Sequence, residues 1–122
     1  MKRYEWGGIK IAEWSVTAFP GLTAAEQYLK LEEELAEADE QEGQNFEKWI
    51  AETADVSVVA AILRYRFRSR IGRVIDEYIK SLPEAEQILT ARDKKMEINL
   101  ARKWVKNKGV YRRHEETKAD EQ

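Results

Sequence analysis

Apolar residues recur at helical spacing in four stretches of the chain, and each stretch is bounded by residues that start or stop helices. After Pro20 and Gly21, the positions Ala24, Tyr28, Leu31, Leu35 and Ala38 form a stripe that predicts a helix from Thr23 to about Glu42. Thr23 is placed to cap it and Glu26 to complete a capping box, while Gly43 offers a stop. Asn45 can cap a second helix, whose apolar set Phe46, Trp49, Thr53, Val56, Val59, Ala60 and Leu63 continues to roughly Arg68. Its middle, 54–63, is nearly all apolar, which predicts burial on more than one side; four helices in so short a chain leave it only partly covered, an independent reason to expect self-association. From Arg64 to Arg73 the chain reads RYRFRSRIGR. This run is taken as a helix end, with Gly72 as the break before a short third helix that holds Val74, Ile75, Tyr78 and Ile79. Leu82 and Pro83 end that helix, and Pro83 suits the first position of a fourth, with Ile88, Leu89, Met96, Leu100 and Trp104 on its buried side. The predicted class is all-α.

Composition narrows this picture. The 122 residues are 43% apolar and 36% charged, which suits amphipathic helices with strongly solvated outer faces in one domain. That domain is expected over 1–114, with 115–122 as a flexible polar tail. The absence of cysteine excludes disulfides and thiolate metal sites and fits a reducing compartment, so a cytoplasmic location is expected. No apolar run approaches the length of a membrane span. The net charge is only −2, but it is unevenly spread: ten acidic residues against one lysine from Glu32 to Asp55, and ten basic against four acidic from Arg92 to Lys118. An acidic helix pair beside a basic helix suits a polyanion held through a divalent metal. Solvated helix faces are the plainer reading of each run.

Candidate chemistry begins with four carboxylates in two pairs, Glu34 with Glu37 and Glu52 with Asp55, each three residues apart on a predicted helix. That spacing leaves the two side chains one turn apart on one side of the axis. If the helices pack antiparallel, the pairs can face each other. Like charges at about 4 Å repel by roughly 4 kcal/mol per pair at an effective dielectric near 20, so the cluster calls for protons or cations. Hard oxygen ligands without cysteine point to Mg²⁺, with Mn²⁺ as substitute. Asp55 lies among Val56, Val58 and Val59, where a carboxylate requires a metal or a basic partner. Lys95, Asn99 and Arg102, at i, i+4 and i+7, place three donors on one stripe, suited to phosphate and sugar oxygens. Trp14, Phe19 and Trp104 are candidates to stack on a base, and equally candidates for core. The arginine run can be read as a nucleic-acid surface, as a phosphate contact across a subunit interface, or as exposed arginines whose stems cover Tyr65 and Phe67. His114 is the only histidine and is expected to be exposed and idle.

The runs FPGLT at 19–23, KLEEELAE at 30–37, ETAD at 52–55 after fourteen intervening residues, and KMEINLARKW at 95–104 carry a family resemblance. In this order they resemble the MazG-like superfamily of all-α nucleoside triphosphate pyrophosphohydrolases. The likeness is closest to the short, phage-type dATP/dGTP diphosphohydrolases. It implies a four-helix bundle core assembled as a homodimer or homotetramer, with Mg²⁺ held by Glu34, Glu37, Glu52 and Asp55. It also implies hydrolysis of a nucleoside triphosphate, dNTP favoured, to monophosphate and pyrophosphate. Lys95, Asn99, Arg102 and Trp14 are then the substrate-binding candidates, and either Glu34 or the adjacent Glu33 is the general base. Members tend to carry an acidic residue before the glycine that here is Gly109. This chain has Lys108, and the base preference stays open. A non-catalytic helical interaction module and a nucleic-acid-binding module are the alternatives. The acidic block opposes the second, and nucleic acid is not the expected partner.

Overall fold

The structure is a computed structural model that describes residues 4–102, 104–107 and 110–113. Lys108, Gly109, His114 and the tail 115–122 lie outside the described residues. Among those described, the order is α1 (Gly8–Ala18), α2 (Ala24–Gln41), α3 (Phe46–Arg66), α4 (Arg70–Ser81), α5 (Ala85–Ala101), β1 (Trp104–Asn107) and β2 (Val110–Arg113). The two strands form an antiparallel hairpin with Trp104 opposite Arg113 and Asn107 opposite Val110. The fold is all-α in character, as expected, with this short hairpin appended.

The predicted start signals act as read. Thr23 accepts from Glu26 N while the Glu26 carboxylate accepts from Thr23 N at 2.8 Å, so both halves of the capping box are present. Asn45 Oδ1 accepts from Lys48 N at 3.0 Å and starts α3. That helix is the hub of the molecule and packs against α1, α2, α4 and α5. Every residue from Thr53 to Leu63 is buried except Asp55. On one side of α3, Val58 and Ile62 join Ile11, Phe19, Leu22 and Met96; on the other, Val56, Val59 and Leu63 join Leu31, Ile79 and Ile88. Fully burying each such side chain contributes about 1.5–3 kcal/mol. The sequence suggested a second helix only partly covered, but four neighbours cover it.

Helix α1 is an addition to the four expected. Its N-cap, Gly7, makes no side-chain cap bond, and Ile9 and Val16 are exposed while Ile11 is buried, so neither capping nor a clean stripe announces it. Tertiary contacts hold it instead. The Asp93 carboxylate accepts from Glu5 N and Trp6 N at 3.0 and 2.9 Å, and Trp6 Nε1 donates to Glu97 at 2.9 Å. The buried Arg92 donates to Ser57 Oγ and Trp6 O. At the other end of α1, the Arg66 guanidinium donates to Ser15 O and Phe19 O at 2.8 and 2.9 Å, where the helix dipole is negative.

The α3–α4 corner differs from the reading of Gly72 as a break. α3 stops at Arg66, Arg68 takes a left-handed backbone at φ 52, and Ser69 caps α4 by accepting from Gly72 N. Gly72 lies inside α4 because the helices cross closely there. A Cβ at this position would stand 2.7 Å from Arg64 N and from Leu63 Cβ. Four smaller expectations also change. Leu35 is exposed and its neighbour Glu34 buried, so α2 is rotated relative to its apolar stripe. Phe46 and Leu100 are exposed. Pro83 stands in the turn before α5 rather than at its first position, and Trp104 belongs to β1, beyond the end of α5.

Candidate active site

α2 and α3 lie side by side, joined by a short turn at Gly43 (φ 75), and this brings the two acidic pairs to one cavity of about 330 Å³. Glu34 and Glu37 from α2 line it together with Glu52 and Asp55 from α3. One carboxylate oxygen from each of Glu34, Glu37 and Glu52 lies within 4.8 Å of the others. Asp55 stands outside that trio. Its carboxylate is bound by Lys95 Nζ at 3.1 Å, which is the basic partner that its position among valines required.

Glu34 is the most constrained member. It is 6% exposed; its Oε1 meets Lys30 Nζ at 3.1 Å, and its Oε2 is sealed from solvent with no hydrogen-bond partner among the described residues. Burial pushes its carboxyl up to about 7; Lys30 opposes the rise, and Asp55 and Glu37 add to it. Burial is also the first cause of raised values at Glu52 and Asp55. At Glu52 a hydrogen bond with Glu37 adds to the rise, and at Asp55 the Lys95 ammonium opposes it. Three converging carboxylates with an orphaned oxygen form an electrostatically frustrated set. A proton or a hard divalent cation relieves it, and oxygen donors alone suit Mg²⁺ or Mn²⁺.

The remaining walls carry cations and rings. Lys95, Asn99 and Arg102 all line the cavity, so the stripe expected from their spacing reaches the carboxylates. Arg102 does so from the C-cap of α5, one residue past the helix. Trp14, Phe19 and Trp104 also line it. Their rings meet edge to face at 5.1 to 6.3 Å, and they pack on the core side formed by Leu22 and Ile62. These aromatics are core and at the same time wall of the cavity. Glu33 is not part of the lining and lies 3.7 Å from Lys30 Nζ. Besides Glu26, read from the sequence only as a helix cap, two further polar lining residues were not read as part of a site, Gln27 and Lys30. Both share a face of α2 with Glu34 and Glu37, at i, i+3, i+7 and i+10, and this polar stripe was the available signal.

The arginine run resolves into separate tasks. Arg64 pairs with the buried Asp76 at 2.7 Å and Arg66 anchors α1, so two of its charges are engaged inside the fold. Arg68, Arg70 and Arg73 are exposed around a second, more open depression. No helix among the described residues is long and apolar enough to cross a membrane. Comparison with protein families, with curated proteins and with solved structures gives no match.

Proposed function

We propose that this chain is a Mg²⁺-dependent nucleoside triphosphate pyrophosphohydrolase of MazG-like type, acting in the cytoplasm on deoxynucleotides and cleaving the bond between the α and β phosphates. The observation that carries this reading is one cavity lined by five carboxylates, two lysines, an arginine and three aromatic rings. Glu34, Glu37 and Glu52 would hold the cation, with Asp55 as a fourth ligand. Bound Mg²⁺, or Mn²⁺ in its place, would neutralise charge on the phosphate oxygens.

The chain's own groups account for the rest. Lys30, Lys95 and Arg102 offset the triphosphate charge, and Asn99 donates to phosphate or sugar oxygen. Lys95 sits on a flexible stem and can exchange Asp55 for a phosphate, which frees Asp55 toward the other carboxylates. In the reaction a water oxygen bonds to the α-phosphorus, the bond to the bridging oxygen breaks, and pyrophosphate departs. The water's proton needs an acceptor at the cavity. Glu34 fits better than Glu33, because Glu34 lines the cavity and Glu33 does not. Incubation with each canonical dNTP and NTP, with Mg²⁺ and with chelator, is expected to release pyrophosphate and monophosphate in equal amounts only with metal. No metal-dependent release from any of them rejects the reading.

Self-association as a homodimer or homotetramer belongs to the same proposal, and its support has moved from α3 to α4. Ile71, Val74 and Tyr78, at i, i+3 and i+7, are 53%, 55% and 63% exposed on one face of that helix. Light scattering at micromolar concentration is expected to give at least twice the 14.3 kDa chain mass. A single-chain mass overturns the assembly without touching the chemistry.

A further inference from the structure

Gln27 lies in the first turns of α2, is only 4% exposed and lines the cavity. A carboxamide offers two donors and an acceptor, and neither polar atom of Gln27 is among those sealed from solvent, so both stay open to the cavity that the residue lines. Among the described residues none hydrogen-bonds to this side chain, which sets it apart from the buried Ser15, Ser57 and Arg92. Its place along α2 indicates what it faces. Lys30, Glu34 and Glu37 follow on the same helix face, and at 1.5 Å per residue Glu34 stands about 10 Å further along the axis. The turn immediately before α2 supplies Phe19 and Leu22, and Phe19 meets Trp14 and Trp104. One face of α2 thus runs from an aromatic pocket with an unpartnered amide to the carboxylate cluster, a span that a ribose and base bridge.

We propose that Gln27 is a specificity-determining residue whose carboxamide reads the hydrogen-bonding edge of the substrate's base, with the triphosphate directed toward Glu34 and Glu37. This rests on the triphosphate reading above. A carboxamide pairs with a donor lying beside an acceptor, and a half-turn about its last bond accommodates either order. Gln27 therefore anchors a base without demanding one identity. Glutamate at this position would offer acceptors only and would favour bases with an exocyclic amino group over thymine.

The test compares wild type, Gln27→Leu and Gln27→Glu with Mg²⁺, reading kcat and KM separately for dATP, dGTP, dCTP and dTTP. The inhibition constant of inorganic triphosphate, which has no base, is read alongside. Gln27→Leu is expected to lower kcat/KM for the nucleotides by about 10- to 100-fold, mainly through KM, with inorganic triphosphate inhibition changed by less than about twofold. Gln27→Glu is expected to raise the preference for amino-bearing bases over dTTP. An effect of Gln27→Leu below about twofold on every nucleotide, or an equal loss for inorganic triphosphate, overturns the proposal. If Gln27→Leu loses its helical circular dichroism, the base ranking of Gln27→Glu decides alone. Wild type active with both variants unchanged removes this proposal only; wild type inert on every nucleotide removes it together with the triphosphate reading.

Discussion

Glu34→Gln is expected to abolish turnover and, in the absence of metal near pH 8, to make the protein more stable. The two effects have one source. Glu34 is buried against Glu37 and Glu52, one of its oxygens has no partner among the described residues, and its carboxyl is pushed up to about 7. Above that pH the folded chain must ionise a group that the unfolded chain ionises at 4.5, a penalty on the order of 3 kcal/mol. Glutamine removes the charge, keeps the shape and can donate to the neighbouring carboxylates. A gain on the order of 1–3 kcal/mol by urea denaturation in chelator is expected. Activity should fall by at least about 100-fold, because a neutral amide is a poor ligand for Mg²⁺ and no proton acceptor. Glu33→Gln is the control: outside the cavity lining, it should leave both quantities near wild type. Retained turnover in Glu34→Gln would remove Glu34 from the site, and equal losses in both variants would reopen the choice of base.

Stability of the metal-free protein should fall as the pH rises from about 5 to 8, and Mg²⁺ should reverse the fall. Glu34, Glu52 and Asp55 all bind protons more tightly folded than unfolded. The folded state therefore carries more protons through this window. The associated stability is fully present below the unfolded pKa of Glu34, 4.5, and is lost as the pH passes its folded value of about 7. A cation at the same oxygens takes over the role of the protons. At a hundred times its dissociation constant it contributes about 2.7 kcal/mol. That corresponds to roughly 10 °C in melting temperature for a domain of this size. Near pH 5 protons already occupy the carboxylates, and the shift should shrink. Thermal melts at both pH values, with Mg²⁺ and with chelator, measure this; a Mg²⁺ shift as large at pH 5 as at pH 8, or none at either, contradicts the account.

Local chemistry was legible in the sequence wherever one helix decides it. The capping box at Thr23, the Asn45 cap, the apolar middle of α3 and the carboxylate pairs are all short-range patterns, and each is found in place. What escaped depends on tertiary contact. Leu35 and Glu34 exchange roles because the acidic face of α2 turns toward a neighbouring helix, a choice that the apolar stripe alone does not encode. Gly72 resembles a stop until α3 crosses it. The true break, Arg68 in a left-handed conformation followed by Ser69 as cap, was partly visible, since serine before a helical run is a start signal. α1 had no such signal: Gly7 gives no side-chain cap, and its anchors at Asp93 and Arg92 lie far along the chain. Lys95 was readable as a cavity cation but not as the partner of Asp55, which required the packing of α5 on α3.

The buried stretch of α3 begins at Thr53, between Glu52 and Asp55. In terms of amide exchange, this boundary divides the helix into two regimes. The turns before Glu52 are half-buried at most and can fray without opening the core, whereas exchange beyond Thr53 requires separation from neighbouring helices. Glu52 is thus carried on a segment that opens at low free energy, while Asp55 is carried on one whose opening approaches global unfolding. A ligand that closes on both would extend slow exchange toward the first turn of α3 and join a fraying end to the most protected helix of the fold.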